Sequence, residues 1–202
     1  QAMSAFNDNV FRFALSILFI TTLGTEQGGV LNTISAALFI LPFFLFSAFA
    51  GQLSDKFDKA FVARRVRFAE IFIVALSAYS LFSGHVHLQQ FCVFLAGCQA
   101  AFFGPIKYGI LPQHLTKDEL LGGNGMVEMA TFIAILLGTI FGSIVINTEG
   151  GLMWVAAVMV GIGIVSYFTA LQIPAAPSAQ PDLKLNWNIF GETWNVIRMA
   201  AR

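Results

Sequence analysis

Six stretches of this chain are too long and too apolar to be ordinary soluble elements, and that limits the fold before any motif is considered. They cover roughly residues 1–23, 30–50, 66–83, 88–112, 123–146 and 152–172. Each is close to the ~20 apolar residues that an α-helix needs to cross the hydrocarbon core of a bilayer. In lipid every backbone N–H and C=O must find a partner inside the segment, which a helix provides. Hydrophobic residues make up 57% of the chain and charged residues only 11%, with a mean hydropathy of +0.76. A soluble domain carries about 25% charged residues. Six such runs packed as soluble helices would leave almost no polar surface. The expected fold class is therefore an all-α membrane protein with six transmembrane helices. The formal net charge is zero, so bulk charge points to no nucleic acid.

The breaks between the runs set an orientation. They fall near 24–29, 55–67, 83–87, 116–119 and 147–151. The second break holds Lys56, Lys59, Arg64, Arg65 and Arg67, and the fourth holds Lys117, with Lys107 close by. Lys184, Arg198 and Arg202 follow the sixth run, while the first, third and fifth breaks have no Lys or Arg. By the positive-inside rule both ends are expected on the cytoplasmic side, with His85 and His87 outside. The chain opens at Gln1 and stops at Arg202 as expected of a fragment cut at both ends, and it shows no signal-peptide pattern. Residues 1–172 form the expected six-helix domain and 173–202 a cytoplasmic linker. Pro174, Pro177 and Pro181 break the helix. Over 185–199, Trp187, Phe190, Trp194 and Ile197 recur at helical spacing, which fits an interfacial amphipathic helix or the start of a seventh span.

Polar residues inside the runs are the candidates for function. Asn7, Asp8, Asn9 and Arg12 lie near the head of the first run. A charge at the bilayer centre costs roughly 2.5–3.5 kcal/mol or more, so it persists where it faces a bundle interior or wet cavity. Asp8 and Arg12 are four residues apart and can pair in the favourable acid-first order. Such a pair either fixes helix packing or contacts a polar or zwitterionic cargo. Glu70, Lys107, Asn124 and Glu128 are further polar candidates on spans, and either acid can pair with Lys107 or Arg67. Gly138 and Gly142 form a Gly-x-x-x-Gly that lets helices approach closely, and Gly161 and Gly163 are weaker versions of the same signal. Cys92 and Cys98 are six residues apart in one run, on different helix faces, and read as packing residues without metal-site spacing.

The segment from Gly51 to Lys59 resembles the loop between helices 2 and 3 of the major facilitator superfamily, Gly-x-Leu-Ala-Asp-Arg-x-Gly-Arg-Lys. Gly51, Leu53, Asp55 and Lys59 match it, whereas Asp58 replaces the second glycine and Ala60 the last base. In that family the acid at Asp55 stabilises one conformation of the carrier. Three further strings carry a narrower likeness: Ala5-Phe6-Asn7-Asp8-Asn9; Gly104-Pro105-Ile106-Lys107-Tyr108-Gly109-Ile110-Leu111-Pro112; and Gly123-Asn124-Gly125-Met126-Val127-Glu128. Together they look like the bacterial lysophospholipid transporter branch. The wording is closer to the form fused ahead of an acyltransferase and an acyl-acyl-carrier-protein synthetase.

The resemblance implies the N-terminal half of a twelve-helix inner-membrane carrier without cofactor or metal. It works by alternating access and moves lysophosphatidylethanolamine-like lipid for reacylation. Its implied partners are the bilayer, the second six-helix half and, in the fused form, the two enzyme domains. For such a cargo Asn7, Asp8, Asn9, Arg12, Lys107, Asn124 and Glu128 are the candidate binding residues, and Gly51, Asp55 and Lys59 form the conformational loop. Lys107 either meets the lipid phosphate or snorkels to headgroups. The alternatives are a non-transporting membrane domain that delivers lipid to fused enzymes, or a carrier for another amphiphile. An enzyme within this chain is not expected. His114 is followed by Asp118 at four residues and Glu119 at five, which misses the acyltransferase His-x-x-x-x-Asp pattern, and no phosphate-binding loop is present.

Overall fold

The computed structural model describes residues 1–186 and Arg198. They form α1 (Ala2–Leu23), α2 (Thr25–Lys56), α3 (Lys59–Ser83), α4 (Val86–His114), α5 (Lys117–Val145) and α6 (Gly151–Leu171). Trp187, Phe190, Trp194 and Ile197, on which the expected amphipathic helix turns, lie outside the described residues.

Five of the helices, α2 to α6, are long and apolar enough to cross a membrane. α1 is 22 residues long, which spans about 33 Å at ~1.5 Å per residue. The polar cluster at Asn7, Asp8, Asn9 and Arg12 sets it apart in hydropathy. α1 is instead the central staff of the bundle: Val10, Phe11, Ala14, Leu15 and Phe19 are buried against Val74, Leu81, Val93, Val155 and Met159. Large apolar side chains point outward all around, among them Phe44, Phe72, Phe132, Trp154 and Phe168. Water would penalise a shell of this kind, whereas lipid tails accept it.

The helices pair in a repeating pattern. α2 packs on α4, α5 packs on α1, and α3 packs on α6. Exchanging α1–α3 with α4–α6 maps this set of contacts onto itself, as inverted three-helix repeats do.

Four of the five connections are shorter than the expected breaks. Gly24 alone separates α1 from α2, with φ 85, a left-handed value that glycine takes without strain. Gly28 and Gly29, expected in the break, are helical. A Cβ at Gly28 would sit 2.8 Å from the Phe19 carbonyl, so this glycine serves close helix approach rather than a turn. The charged stretch 59–67 is also helical. Asp58 starts it by accepting a hydrogen bond from the Phe61 N–H at 2.8 Å. Only Phe57 and Asp58 separate α2 from α3, both at negative φ. The tight turn therefore forms without the glycine of the family pattern. The polar residues 116–119 are likewise a helix start: Thr116 and Glu119 make a reciprocal capping box at the head of α5.

Two of the four small-residue positions make close contacts. At Gly138 an added Cβ would lie 2.5 Å from the Phe6 carbonyl oxygen, and at Gly142 it would lie 2.5 Å from that of Val10. Backbone of α1 and α5 thus meets directly at both turns. Gly163 has only ordinary contact with Val74, and Gly161 has nothing within 4 Å, so the weaker signal on α6 is not a close helix crossing.

After α6 the chain runs back across the end of the bundle that carries the basic loops. Arg64 donates to the Ile173 carbonyl at 2.7 Å. The Ala176 N–H donates to Asp58 Oδ2 at 2.9 Å, and its carbonyl accepts from the Lys59 N–H at 2.8 Å. Gln113 donates to the Pro177 carbonyl at 3.1 Å, and the Gln180 N–H donates to the Asp55 carbonyl at 2.9 Å. Asp58 therefore caps α3 with one oxygen and holds this segment with the other.

Candidate functional site

A cavity of about 510 Å³ opens between α1, α2, α3, α4 and α5. Helical periodicity explains its α1 wall: Ala5, Asp8, Asn9 and Arg12 recur at spacings of three and four and share a face. α4 presents Gln99, Ala100, Phe103, Gly104, Lys107 and Tyr108 in the same register. α2 adds Phe39 and Phe43, α3 adds Arg67, and α5 adds Thr131 and Ile135. The lining is mostly apolar, with charges of both signs set into it.

Two charge clusters define the polar part. In the first, Arg67 Nη1 lies 2.6 Å from Glu70 Oε2, with both side chains almost fully buried. Gln99 Nε2 donates to the same oxygen at 3.3 Å, and the Ser4 hydroxyl donates to Glu70 Oε1. The Arg67 guanidinium lies 3.8 Å from the centre of the Phe103 ring, within cation–π range. In the second, Lys107 Nζ lies 2.5 Å from Glu128 Oε1, and the Tyr108 hydroxyl donates to that oxygen at 2.9 Å. The sequence left open which acid meets which base. The structure pairs Glu70 with Arg67 and Glu128 with Lys107.

Asp8 and Arg12 depart from expectation. Both line the cavity, but they do not make a contact ion pair. The Arg12 guanidinium lies 4.5 Å from the centre of the Phe39 ring on α2. Four-residue spacing brings two Cβ atoms near each other, but a long Arg side chain chooses among several neighbours, and here an aromatic face on the next helix holds it. The site thus keeps an acid and a base on one wall that do not neutralise each other by contact.

The candidate residues divide by location. Asp8, Asn9, Arg12 and Lys107 line the cavity, and Glu128 joins them through Lys107. Asn7 is turned away: it is buried and donates to the Met159 carbonyl on α6 at 3.0 Å. Asn124 lies on α5 one turn before Glu128 and is not in the lining. Asn9 lines the cavity while its amide donates to the Ala5 carbonyl at 2.7 Å. Gly51, Asp55 and Lys59 sit at the α2–α3 junction, away from the cavity. Lys59 is buried there with its stem over Gly109, where a Cβ would come within 2.7 Å of Lys59 Cε. Ser4 and Gln99 also line the cavity and were not among the sequence candidates. Gln99, an amide within an apolar run, was the available signal. Glu119 stands five residues after His114, but its carboxylate accepts from the Thr116 N–H at 3.0 Å and hydroxyl at 2.8 Å. It serves the helix cap.

Comparison with known proteins agrees with this architecture. The family model described as Major Facilitator Superfamily matches residues 1–201. Among curated proteins, the lysophospholipid transporter LplT of Escherichia fergusonii is 30% identical over 201 residues, covering 100% of this chain and 46% of the relative. The protein of the same name from Enterobacter sp. strain 638 is 31% identical over 205 residues, covering 100% and 46%. That of Photorhabdus laumondii is 31% identical over 190 residues, covering 94% and 44%. The chain spans less than half the length of these relatives.

Proposed function

The chain belongs to the Major Facilitator Superfamily, and on that footing we propose that it is one wall of an alternating-access carrier for lysophospholipid. The observation that carries this reading is the cavity itself: Asp8 and Arg12 on α1 without a contact pair between them, Phe39, Phe43 and Phe103 from α2 and α4, and Lys107 paired with Glu128. A lysophospholipid has one acyl chain, a phosphate and, in the ethanolamine form, an ammonium. The acyl chain suits Phe39, Phe43 and Ile135. The ammonium suits Asp8, and the phosphate suits Lys107, which would exchange Glu128 for the lipid anion. Glu128 would keep Tyr108 as a donor during that exchange.

A second half accords with the relatives' greater length, and the remaining elements of the proposal rest on the basic loops and on the resemblance of the strings at 5–9, 104–112 and 123–128. A second six-helix half would close the open side of the cavity, with cargo held near the midplane between the halves. The protein would lie in the bacterial inner membrane with its basic loops cytoplasmic, and would deliver lysophosphatidylethanolamine-like lipid inward for reacylation. Acyltransferase and acyl-ligase domains on the same polypeptide would use that lipid. Asp55 and Lys59 would act in the conformational cycle rather than in binding. This chain would carry transport and leave catalysis to those domains.

Lys107 provides the test. In the complete protein, Lys107→Ala removes the cation, and Lys107→Arg keeps a cation of different shape. Lysophospholipid uptake at matched expression should fall at least tenfold in the Ala variant, about 1.4 kcal/mol, and be partly retained in the Arg variant. Uptake near the parental rate by Lys107→Ala would show that this lysine only anchors α4 at the headgroups.

A further inference from the structure

We infer that Arg67, which sequence reasoning treated as part of the basic loop, is an anion-receiving residue of the cavity, and that its ligand is a phosphate group. The inference deepens the proposed function and rests on it for the identity of the lipid. Arg67 is 2% exposed and lines the cavity. Its Nη1 is held by Glu70, its face is covered by Phe103, and its Nη2 is buried with no hydrogen-bond partner among the described residues. A buried donor on a charged group is costly to leave unmade. A buried ion pair by itself is also weak grounds for stability. A guanidinium whose Nη1 is held and whose Nη2 has no partner among the described residues, on a side chain that lines the cavity, offers the donors that phosphate recognition uses, since the planar fork matches two anionic oxygens.

Glu70 is a positioning residue in this arrangement. Its Oε1 accepts from Ser4, and its Oε2 accepts from Arg67 and Gln99. Its hydrogen bonds are thus spent on holding the guanidinium plane, and it has little left for a cationic headgroup. Asp8, which lines the same cavity, is the acid left for that pole. Lys107 differs from Arg67: its ammonium is already matched by Glu128 at 2.5 Å. Arg67 therefore has a donor with no protein partner to release among the described residues, while Lys107 must first give up Glu128.

The experiment uses the complete protein in nanodiscs and two variants. Arg67→Lys keeps a cation for Glu70 but lacks the second nitrogen. Arg67→Leu/Glu70→Leu removes the pair together, so that no buried charge is stranded and folding is kept even where the first variant fails. Lysophosphatidylethanolamine, a monoacylglycerol of the same chain length and inorganic phosphate are titrated against each, with melting temperatures measured alongside. The Kd for lysophosphatidylethanolamine is expected to rise at least tenfold in both variants at unchanged melting temperature. Monoacylglycerol binding should not change, and phosphate should compete with the lipid in the parent but not in Arg67→Lys. Lipid binding within twofold of the parent in both variants overturns the inference and leaves the transporter reading intact. A parent that binds phosphate but not lysophospholipid, with phosphate lost in Arg67→Lys, keeps the anion site and refutes the lipid reading. A parent that binds neither refutes both.

Discussion

Gly142→Ala tests the packing that places α1 against α5 and so fixes where Asp8 and Arg12 stand. The added Cβ would lie 2.5 Å from the Val10 carbonyl oxygen and 3.0 Å from its Cα, where ordinary contact begins at 3.4 Å. The difference, 3.4 minus 2.5, is 0.9 Å, and backbone on both sides cannot absorb it by a rotamer change. α1 would have to lift away from α5, loosening the matching contact at Gly138 one turn earlier. Overpacking of this kind costs roughly 1–3 kcal/mol. The alanine returns about 0.5–1 kcal/mol of helix propensity, which leaves a net loss of about 1.25 kcal/mol at the middle of the two ranges (2 minus 0.75). At ~2–4 °C per kcal/mol for a domain of this size, the melting midpoint should fall by about 3–5 °C. Gly161→Ala is the internal control, because nothing lies within 4 Å of its Cβ; its midpoint should hold or rise. The assay is thermal melting of the purified protein in one detergent at one scan rate. A Gly142→Ala midpoint equal to or above that of Gly161→Ala would refute the claim that the two helices meet through backbone here.

Asp58→Ala removes both the α3 cap and the bond to the Ala176 N–H. Caps of this kind contribute ~0.5–2 kcal/mol, so the segment after α6 should loosen and trypsin should cleave at Lys184 faster than in the parent; equal cleavage rates would show that other contacts hold the strap. Single cysteines at positions 27, 86 and 149 should react with an impermeant reagent on intact cells, and those at 58, 117 and 184 should not. Labelling at 58 from outside would reverse the assigned orientation.

The helices were legible in the sequence because a membrane leaves few alternatives to a helix of spanning length. Their ends were less so, since the relevant signals are local bonds rather than hydropathy. Gly28 looked like a turn residue and is a contact with Phe19. The charges at 59–67 looked like a loop and are the first turns of α3, started by one Asp58 side chain. The cavity was half legible. Asp8, Arg12 and Lys107 stood out as charges in apolar runs, and all three line it. Asn7 carried the same signal and faces α6, because neighbouring positions on a helix point about 100° apart and the sequence does not say which direction is the cavity. Arg67 was counted with the loop bases and as a possible partner of Glu70 or Glu128, not as a cavity residue. Only the fold shows that it lies two turns into α3, buried against Phe103 and Glu70.

The most direct test of the account is a leaflet-exchange measurement on the complete protein in proteoliposomes. Lysophosphatidylethanolamine labelled on its acyl chain is added, and the fraction that albumin can extract from the outer leaflet is followed over time. The account predicts a protein-dependent loss of extractable lipid that is strongly slowed in Asp8→Asn at equal reconstitution. An exchange rate equal to that of protein-free liposomes, with the protein folded, would contradict it.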